Sequence, residues 1–321
     1  MKRMKLLPII LFVMYILPFS VFAGEFSPIV TTDWLEKNLN NPKLVMIDIR
    51  KVEEYKEGHI PGSINEPFVT VFDPTCRGPS SNWIIGSKDC LWLQLPETEG
   101  LFKTIGNLGI TMDSLVVIVT APNPNEPPYF GLANATRVAD TLVYAGVKNV
   151  AILDGGYPKW VAERNPTSKD VPKVSPTTYN NKVNKEMFVS MEYVRKHIGK
   201  AVIVDARDAE VYFGVAIEPF APKAGHIPTA MSLPTPWMWK LNPDGTYVYR
   251  DKETLNAIAS GVIGKPKANE IIVYCGVGGY ASSWWFVLTQ VLGYDNVRIF
   301  DGSIQEWSRD PKAPMTKYSW R

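Results

Sequence analysis

The sequence predicts an α/β protein built from two similar domains, each a parallel sheet with helices on both faces. Two observations carry this expectation: one pattern occurs twice along the chain, and within each copy short β-branched runs alternate with helix-length segments. A chain of 321 residues with 45% hydrophobic content is also long enough for two ordinary globular cores.

In the first copy, the run 44–50 (Leu-Val-Met-Ile-Asp-Ile-Arg) precedes a helical patch and then Gly58-His59-Ile60-Pro61-Gly62. In the second, 201–207 (Ala-Val-Ile-Val-Asp-Ala-Arg) precedes a longer stretch and then Gly225-His226-Ile227-Pro228. Each copy continues through an apolar strand (116–119; 271–274) and a helical segment (131–145; 281–292). A further strand then ends in Asp-Gly (Asp154-Gly155; Asp301-Gly302), with Trp160 or Trp307 just beyond. The offsets Asp48 to Asp205, His59 to His226 and Asp154 to Asp301 are 157, 167 and 147 residues, as expected for a duplication with loop insertions. Between the copies, 165–182 is rich in Pro, Ser, Thr and Lys and reads as a linker. The domains are therefore placed at 24–168 and 183–321, with 169–182 between them.

The amino terminus carries Lys2, Arg3 and Lys5, then an apolar run from Leu6 to Phe22 that closes on Val21-Phe22-Ala23. This is the layout of a secretory signal, residues 1–23, cleaved after Ala23. An uncleaved anchor is the alternative; Pro8, Pro18 and a length at the lower limit for spanning weigh against it. The expected product is exported, periplasmic in a Gram-negative cell, with no stable membrane span. Formal net charge is +2 for the whole chain and about −1 without the first 23 residues, so no basic stripe points to nucleic acid.

Export changes how three cysteines are read. Cys76 and Cys90 lie close together in a Gly-, Pro-, Ser- and Asn-rich region, and a bridge between them would close a 15-residue loop, worth roughly 3 kcal/mol in the chain-entropy picture. The alternatives are that both stay reduced or that they resolve an oxidised Cys275. No CxxC, CxxCH or His-rich cluster occurs, so neither haem nor a metal is expected, and no other cofactor is called for.

Cys275 is the most informative residue. It follows the strand-like run Ile271–Tyr274 and opens Cys275-Gly276-Val277-Gly278-Gly279-Tyr280-Ala281, which leads directly into a helical segment. A thiol at such a turn faces main-chain N–H groups and the positive end of a helix dipole. The glycines let the loop curl with its amides inward. This environment favours thiolate and is expected to bring the thiol from about 8.5 to neutral or below.

Taken together, the D-x-R plus G-H-I-P signatures, the cysteine-led loop and the pattern Asp301-Gly302-Ser303…Glu306-Trp307 resemble the rhodanese family. The likeness is to its tandem sulfurtransferases acting on thiosulfate or 3-mercaptopyruvate, and matching pieces run from about residue 28 to 310. The resemblance implies two α/β domains, a catalytic cysteine in the second, an active site near the interdomain cleft, a cysteine persulfide and no cofactor. By that implication Cys275 is the nucleophile, and the amides of Gly276, Val277, Gly278, Gly279, Tyr280 and Ala281 stabilise charge on substrate sulfur. Asp205 and Arg207 pair with each other or support the loop. The first copy has Thr120-Ala121 where the second has Tyr274-Cys275, and its following segment carries four prolines between 122 and 128, so it lacks a nucleophile and a comparable nest. Its expected role is to wall the cleft, with Arg137 and the insert 72–98 as contributors.

Three departures concern the substrate. Thiosulfate-using loops of the family carry Arg or Lys just after the cysteine, where this chain has Gly276 and Val277. The mercaptopyruvate branch usually has Ser or Thr where this chain has Val277, and a family arginine four residues beyond D-x-R is here Val211. Fewer fixed cations disfavour a small anionic donor. Tyr280, Trp237 and Trp239 are candidates for a more apolar pocket, and polysulfide, a persulfide or a partner protein's thiol becomes a credible donor. Two function classes stand: a sulfurtransferase, or a carrier that holds sulfur on Cys275 and passes it on. Phosphatase chemistry needs Arg six residues after the nucleophile, where this chain has Ala281. His59 and His226 read as turn residues, Trp284 and Trp285 as core, and Asp301 and Trp307 as fold-holding.

Overall fold

The computed structural model describes residues 26–76, 78–122, 129–264 and 269–320; the expected signal segment and most of the proline-rich stretch after Ala121 lie outside them. In chain order the first half runs β1 (Ile29–Val30), α1 (Thr32–Asn38), β2 (Leu44–Asp48), α2 (Val52–Glu57), β3 (Ile64–Asn65), the hairpin β4 (Val71–Asp73) and β5 (Gly78–Ser80), α3 (Thr98–Asn107), β6 (Leu115–Val119), α4 (Tyr129–Tyr144), β7 (Asn149–Leu153) and α5 (Gly156–Ala162). The second half runs β8 (Phe188–Val189), α6 (Met191–His197), β9 (Val202–Asp205), α7 (Ala209–Tyr212), β10 (Met231–Ser232), the hairpin β11 (Trp239–Leu241) and β12 (Tyr247–Tyr249), α8 (Lys252–Ile263), β13 (Ile271–Tyr274), α9 (Gly279–Phe286), β14 (Val297–Phe300) and α10 (Ser303–Trp307).

The two large sheets have the same order, β1-β7-β6-β2-β3 and β8-β14-β13-β9-β10, and every pairing within them is parallel. Parallel strands covered on both faces should read as unbroken apolar runs. Accordingly Val116, Val117, Ile118 and Val119 of β6, and Ile271, Ile272, Val273 and Tyr274 of β13, are fully buried. Corresponding helices start in the same way: the Thr31 hydroxyl accepts from Trp34 N at 3.1 Å, and the Ser190 hydroxyl from Tyr193 N at 3.3 Å.

The repeated D-x-R and G-H-I-P motifs act together as a brace. Arg50 grips Asp48 through Nε and Nη2 (2.9 and 2.6 Å) and donates Nη2 to Gly58 O at 2.9 Å. Arg207 grips Asp205 at the same 2.9 and 2.6 Å and donates to Gly225 O at 2.7 Å. Each pair ties a strand's carboxyl end to the turn ahead of the next strand. His59 and His226 are fully buried within those turns, each stacked on a tyrosine (Tyr55 at 3.7 Å, Tyr212 at 3.9 Å) and bonded through Nδ1 to that tyrosine's carbonyl at 2.9 Å. Trp160 and Trp307, also fully buried, donate their indole N–H groups to Pro166 O and Pro314 O.

The stretch 165–182 is a strap on the first domain rather than a loose tether. Ser168 and His59 exchange main-chain hydrogen bonds, Thr177 N donates to Gly106 O at 2.8 Å, and the buried Tyr179 hydroxyl donates to Ala145 O at 3.0 Å. Gly106 is a glycine because a β-carbon there would meet Thr177 O at 2.4 Å. The prolines and serines of the strap carry little apolar surface, and the main-chain carbonyls at the ends of α3 and α4 supply hydrogen-bond partners instead.

The domains meet where α4 packs on α9, with the Thr136 and Ser283 hydroxyls 2.9 Å apart. The two Asp-Gly turns then reach across in opposite directions. Asp154 of the first domain accepts from Tyr249 N at 2.9 Å, and burial pushes its carboxyl up to about 6. Asp301 of the second accepts from Leu95 N at 3.2 Å and pairs with Arg137 Nη1 at 2.8 Å. Arg137 is fully buried and pins the interface, and it is not part of the cavity lining around Cys275. Arg137→Ala leaves Asp301 without its cation and is expected to destabilise the protein by roughly 3–5 kcal/mol in urea unfolding; an unchanged midpoint would show the pair to be dispensable.

Candidate active site

β13 is held in the middle of its sheet, so the residue after it leaves the carboxyl edge, where open α/β sheets present their sites. That residue is Cys275, the free cysteine of the described residues; Cys76 and Cys90 are joined in a disulfide. The Cys275 side chain lies at the base of a cavity of about 310 Å³ shared by both domains. Gly276, Val277, Gly279 and Tyr280 line it from the second domain, and Phe68, Leu93 and Phe130 from the first.

The loop presents three amides to the sulfur. Gly278 N–H lies 3.1 Å from Cys275 Sγ, and the N–H groups of Val277 and Ala281 also bond to it. Gly278 sits at φ +102, a conformation that L side chains rarely adopt, and it starts α9. Gly276, Gly279 and Tyr280 line the same cavity, and Ala281 can join the ring because the first turn of a helix leaves its N–H groups unpaired. The Asp-Gly-Ser turn fixes the loop from below. Cys275 N donates to Ser303 Oγ at 3.2 Å, while Ile304 N and Gln305 N donate to Cys275 O and Gly276 O, both at 3.0 Å. Gln305 also binds the insert: Trp92 N donates to its Oε1 at 2.8 Å and its Nε2 donates to Trp92 O at 2.9 Å.

Gly276 has a second task. A β-carbon there would stand 2.4 Å from Glu218 Oε1 and 2.8 Å from Phe220 Cζ, so the glycine admits the Glu218 carboxylate to the cavity wall. Arg207 Nη1 holds Glu218 Oε2 at 3.2 Å, and the Tyr274 hydroxyl donates to Asp205 Oδ2 at 2.7 Å. Arg207 therefore reaches the cavity lining through Glu218 and positions it, with Asp205 holding Arg207 from behind.

These contacts reverse one expectation. Burial pushes the Cys275 thiol up and the Glu218 carboxylate adds to that, against the amides of Ala281, Val277 and Gly278, which pull it down. A sulfur that is 2% exposed has lost the solvation on which a free thiolate relies, and three amides offset only part of that loss. Burial outweighs the amides at the free sulfur, and the amides are placed to act on charge that develops there.

Two further expectations are corrected. Trp237 and Trp239 do not line the cavity: Trp237 is 47% exposed at the surface, and Trp239 is buried beside Tyr249. The apolar wall comes instead from Tyr280, Val277, Phe220 and the first-domain residues named above. The insert does contribute, through Leu93 and Pro79, with Trp92 set edge-on to Phe220 at 5.6 Å. Sequence reading missed Glu218, Phe220, Phe68 and Phe130, none of which sits in a recurring pattern. The only available signal was the extra length between Arg207 and Gly225 in the second copy, where Glu218 and Phe220 lie.

Alkylation of Cys275 by iodoacetamide is expected to rise with pH through a midpoint above that of free cysteine, about 8.5. A midpoint at or below 7 would show that the amides outweigh burial and Glu218.

Comparison with known proteins agrees with this architecture. Residues 31–89 and 190–310 match the rhodanese-like domain. The chain is 31% identical over 303 residues to the sulfur carrier protein TtuD of Thermus thermophilus, covering 90% of this chain and 96% of that protein. It is also 31% identical over 298 residues to SseA of Mycobacterium leprae, provisionally named a thiosulfate sulfurtransferase, covering 90% of each. Among solved structures, the anaerobic ergothioneine biosynthesis enzyme of Chlorobium limicola shares the fold at a TM-score of 0.72 and 24% identity, over 91% of this chain and 70% of that one. With a duplicated sheet order, duplicated braces and a match over both halves, the chain belongs to the rhodanese family.

Proposed function

We propose that this chain is an exported sulfurtransferase that moves a sulfane sulfur from a donor to a thiophilic acceptor through a persulfide on Cys275. One observation carries the reading: a free cysteine at the base of an interdomain cavity, with three main-chain N–H groups directed at its sulfur. Cys275 gives up its proton as its sulfur attacks the outer sulfur of thiosulfate or a polysulfide, or the single sulfur of 3-mercaptopyruvate. The remainder (sulfite, a shortened polysulfide or the enolate of pyruvate) leaves with the bonding pair and takes up that proton. A thiol acceptor then takes the outer sulfur from Cys275–S–S⁻ and restores the enzyme, in two steps of ping-pong character. A hydropersulfide is a stronger acid than its parent thiol, so the amides of Val277, Gly278 and Ala281 act most strongly on the charged intermediate; losing one such donor typically costs about 2.7–4 kcal/mol.

Export is supported by the Cys76–Cys90 disulfide, a bond of oxidising compartments. Val69 and Phe130 line the cavity yet are 41% and 47% exposed, which leaves its mouth open to a partner protein's thiol.

A carrier with little turnover is the second reading. It is favoured by the burial that pushes the Cys275 thiol up and by the relative named a sulfur carrier. Intact-mass measurement after incubation with thiosulfate, 3-mercaptopyruvate and polysulfide in turn is expected to show one added sulfur on the wild type and none on Cys275→Ser; equal gain on both would remove Cys275 from the reaction. Steady-state transfer to cyanide or small thiols then decides between the readings, since a carrier gives one stoichiometric burst and an enzyme continues.

A further inference from the structure

Glu218 is the only charged side chain among the described residues that line the Cys275 cavity. Its carboxylate stands over the α-carbon of the residue next to the nucleophile, in space that only a glycine leaves. Arg207 holds it from behind but does not cancel it. The same guanidinium makes its two shortest carboxylate bonds, 2.6 and 2.9 Å, to the fully buried Asp205, so one cation serves two carboxylates; burial pushes the Glu218 carboxyl up, and Arg207 works against that rise to keep it ionised. No Lys, Arg or His of the described lining opposes it, and the rest of the wall is largely aromatic and aliphatic.

We propose that Glu218 sets the charge preference of the pocket, disfavouring oxyanion donors such as thiosulfate and leaving organic hydropersulfides, R–S–SH with an apolar R, as the donor class. The inference rests on sulfur transfer through Cys275. A dianion entering the cavity meets a fixed carboxylate in a site poorly screened by water, whereas a neutral hydropersulfide does not, and its R group lies against Phe68, Leu93 and Phe130. The step is balanced without an oxidant or reductant. The Cys275 sulfur attacks the outer sulfur of R–S–SH, the S–S bond breaks with its pair on R–S⁻, and the proton given up by Cys275 ends there, giving Cys275–S–SH and R–SH. Glu218 also raises the Cys275 thiol, which is consistent with its carboxylate acting on the reacting sulfur through space.

The test is the single-turnover rate of sulfur gain on Cys275, read by intact mass, with thiosulfate and with benzyl hydropersulfide. Wild type is expected to favour the hydropersulfide. Glu218→Gln keeps the shape and removes the charge, and is expected to raise the thiosulfate-to-hydropersulfide rate ratio by about tenfold or more. Glu218→Asp, which keeps the charge, should stay near the wild-type ratio. Asn134→Lys, which adds a cation to the same lining and leaves Glu218 and Arg207 in the sequence, is expected to shift the ratio in the same direction and covers the case in which Glu218→Gln fails to fold. A wild type that prefers thiosulfate, or an unshifted ratio in a folded Glu218→Gln or Asn134→Lys protein, would overturn the role of Glu218 while leaving sulfur transfer intact. Absence of sulfur gain from either donor on the wild type would overturn the sulfur-transfer reading and this inference with it.

Discussion

The hydrogen bonds from Val277, Gly278 and Ala281 to the Cys275 sulfur constrain much of the second domain. To turn those amides inward, the chain must leave β13 at a fixed point, pass through a left-handed glycine at Gly278 and enter a helix within four residues. Nothing local enforces that path. It is fixed from below by Ser303, Ile304 and Gln305, from the side by the packing of α9 on α4, and at the glycine by Asp301 and Arg137.

Duplication explains why the site needs both domains. The Asp154-Gly155 and Asp301-Gly302 turns occupy corresponding places and reach in opposite directions across the interface, one to Tyr249 and the other to Leu95 and Arg137. The first copy has kept the brace and the sheet order but has Ala121 in place of a nucleophile, and it now supplies cavity walls through Phe68, Leu93 and Phe130. A site made this way excludes water on two sides, which raises the resting thiol and at the same time strengthens any interaction between an amide and a developing charge.

Much of this was legible in the sequence. The repeat identified both sheets because parallel strands are continuous apolar runs, and D-x-R with G-H-I-P could be read because one residue pair and one turn recur together. Cys275 stood out because its loop has the composition its geometry requires. Glu218 was not legible, since its place follows from Arg207 reaching eleven positions along an irregular stretch, and only the absent side chain of Gly276 makes room for it. The sign of the Cys275 shift was misjudged for a related reason: amide donors can be counted along a loop, but burial depends on first-domain residues brought in by the fold. Trp237 and Trp239 looked like pocket aromatics by type and proximity in sequence, yet the β11–β12 hairpin carries them elsewhere.

The account rests on the folded loop, and not the cysteine alone, stabilising sulfur bound to Cys275. Loading the native protein with one sulfur and following its loss by intact mass, in buffer and in a concentration of urea that unfolds the chain, tests this directly. A persulfide that survives at least about tenfold longer in the native protein, the ratio expected from one retained amide interaction of ~1.4 kcal/mol, agrees with the account. Equal lifetimes in the two states would contradict it.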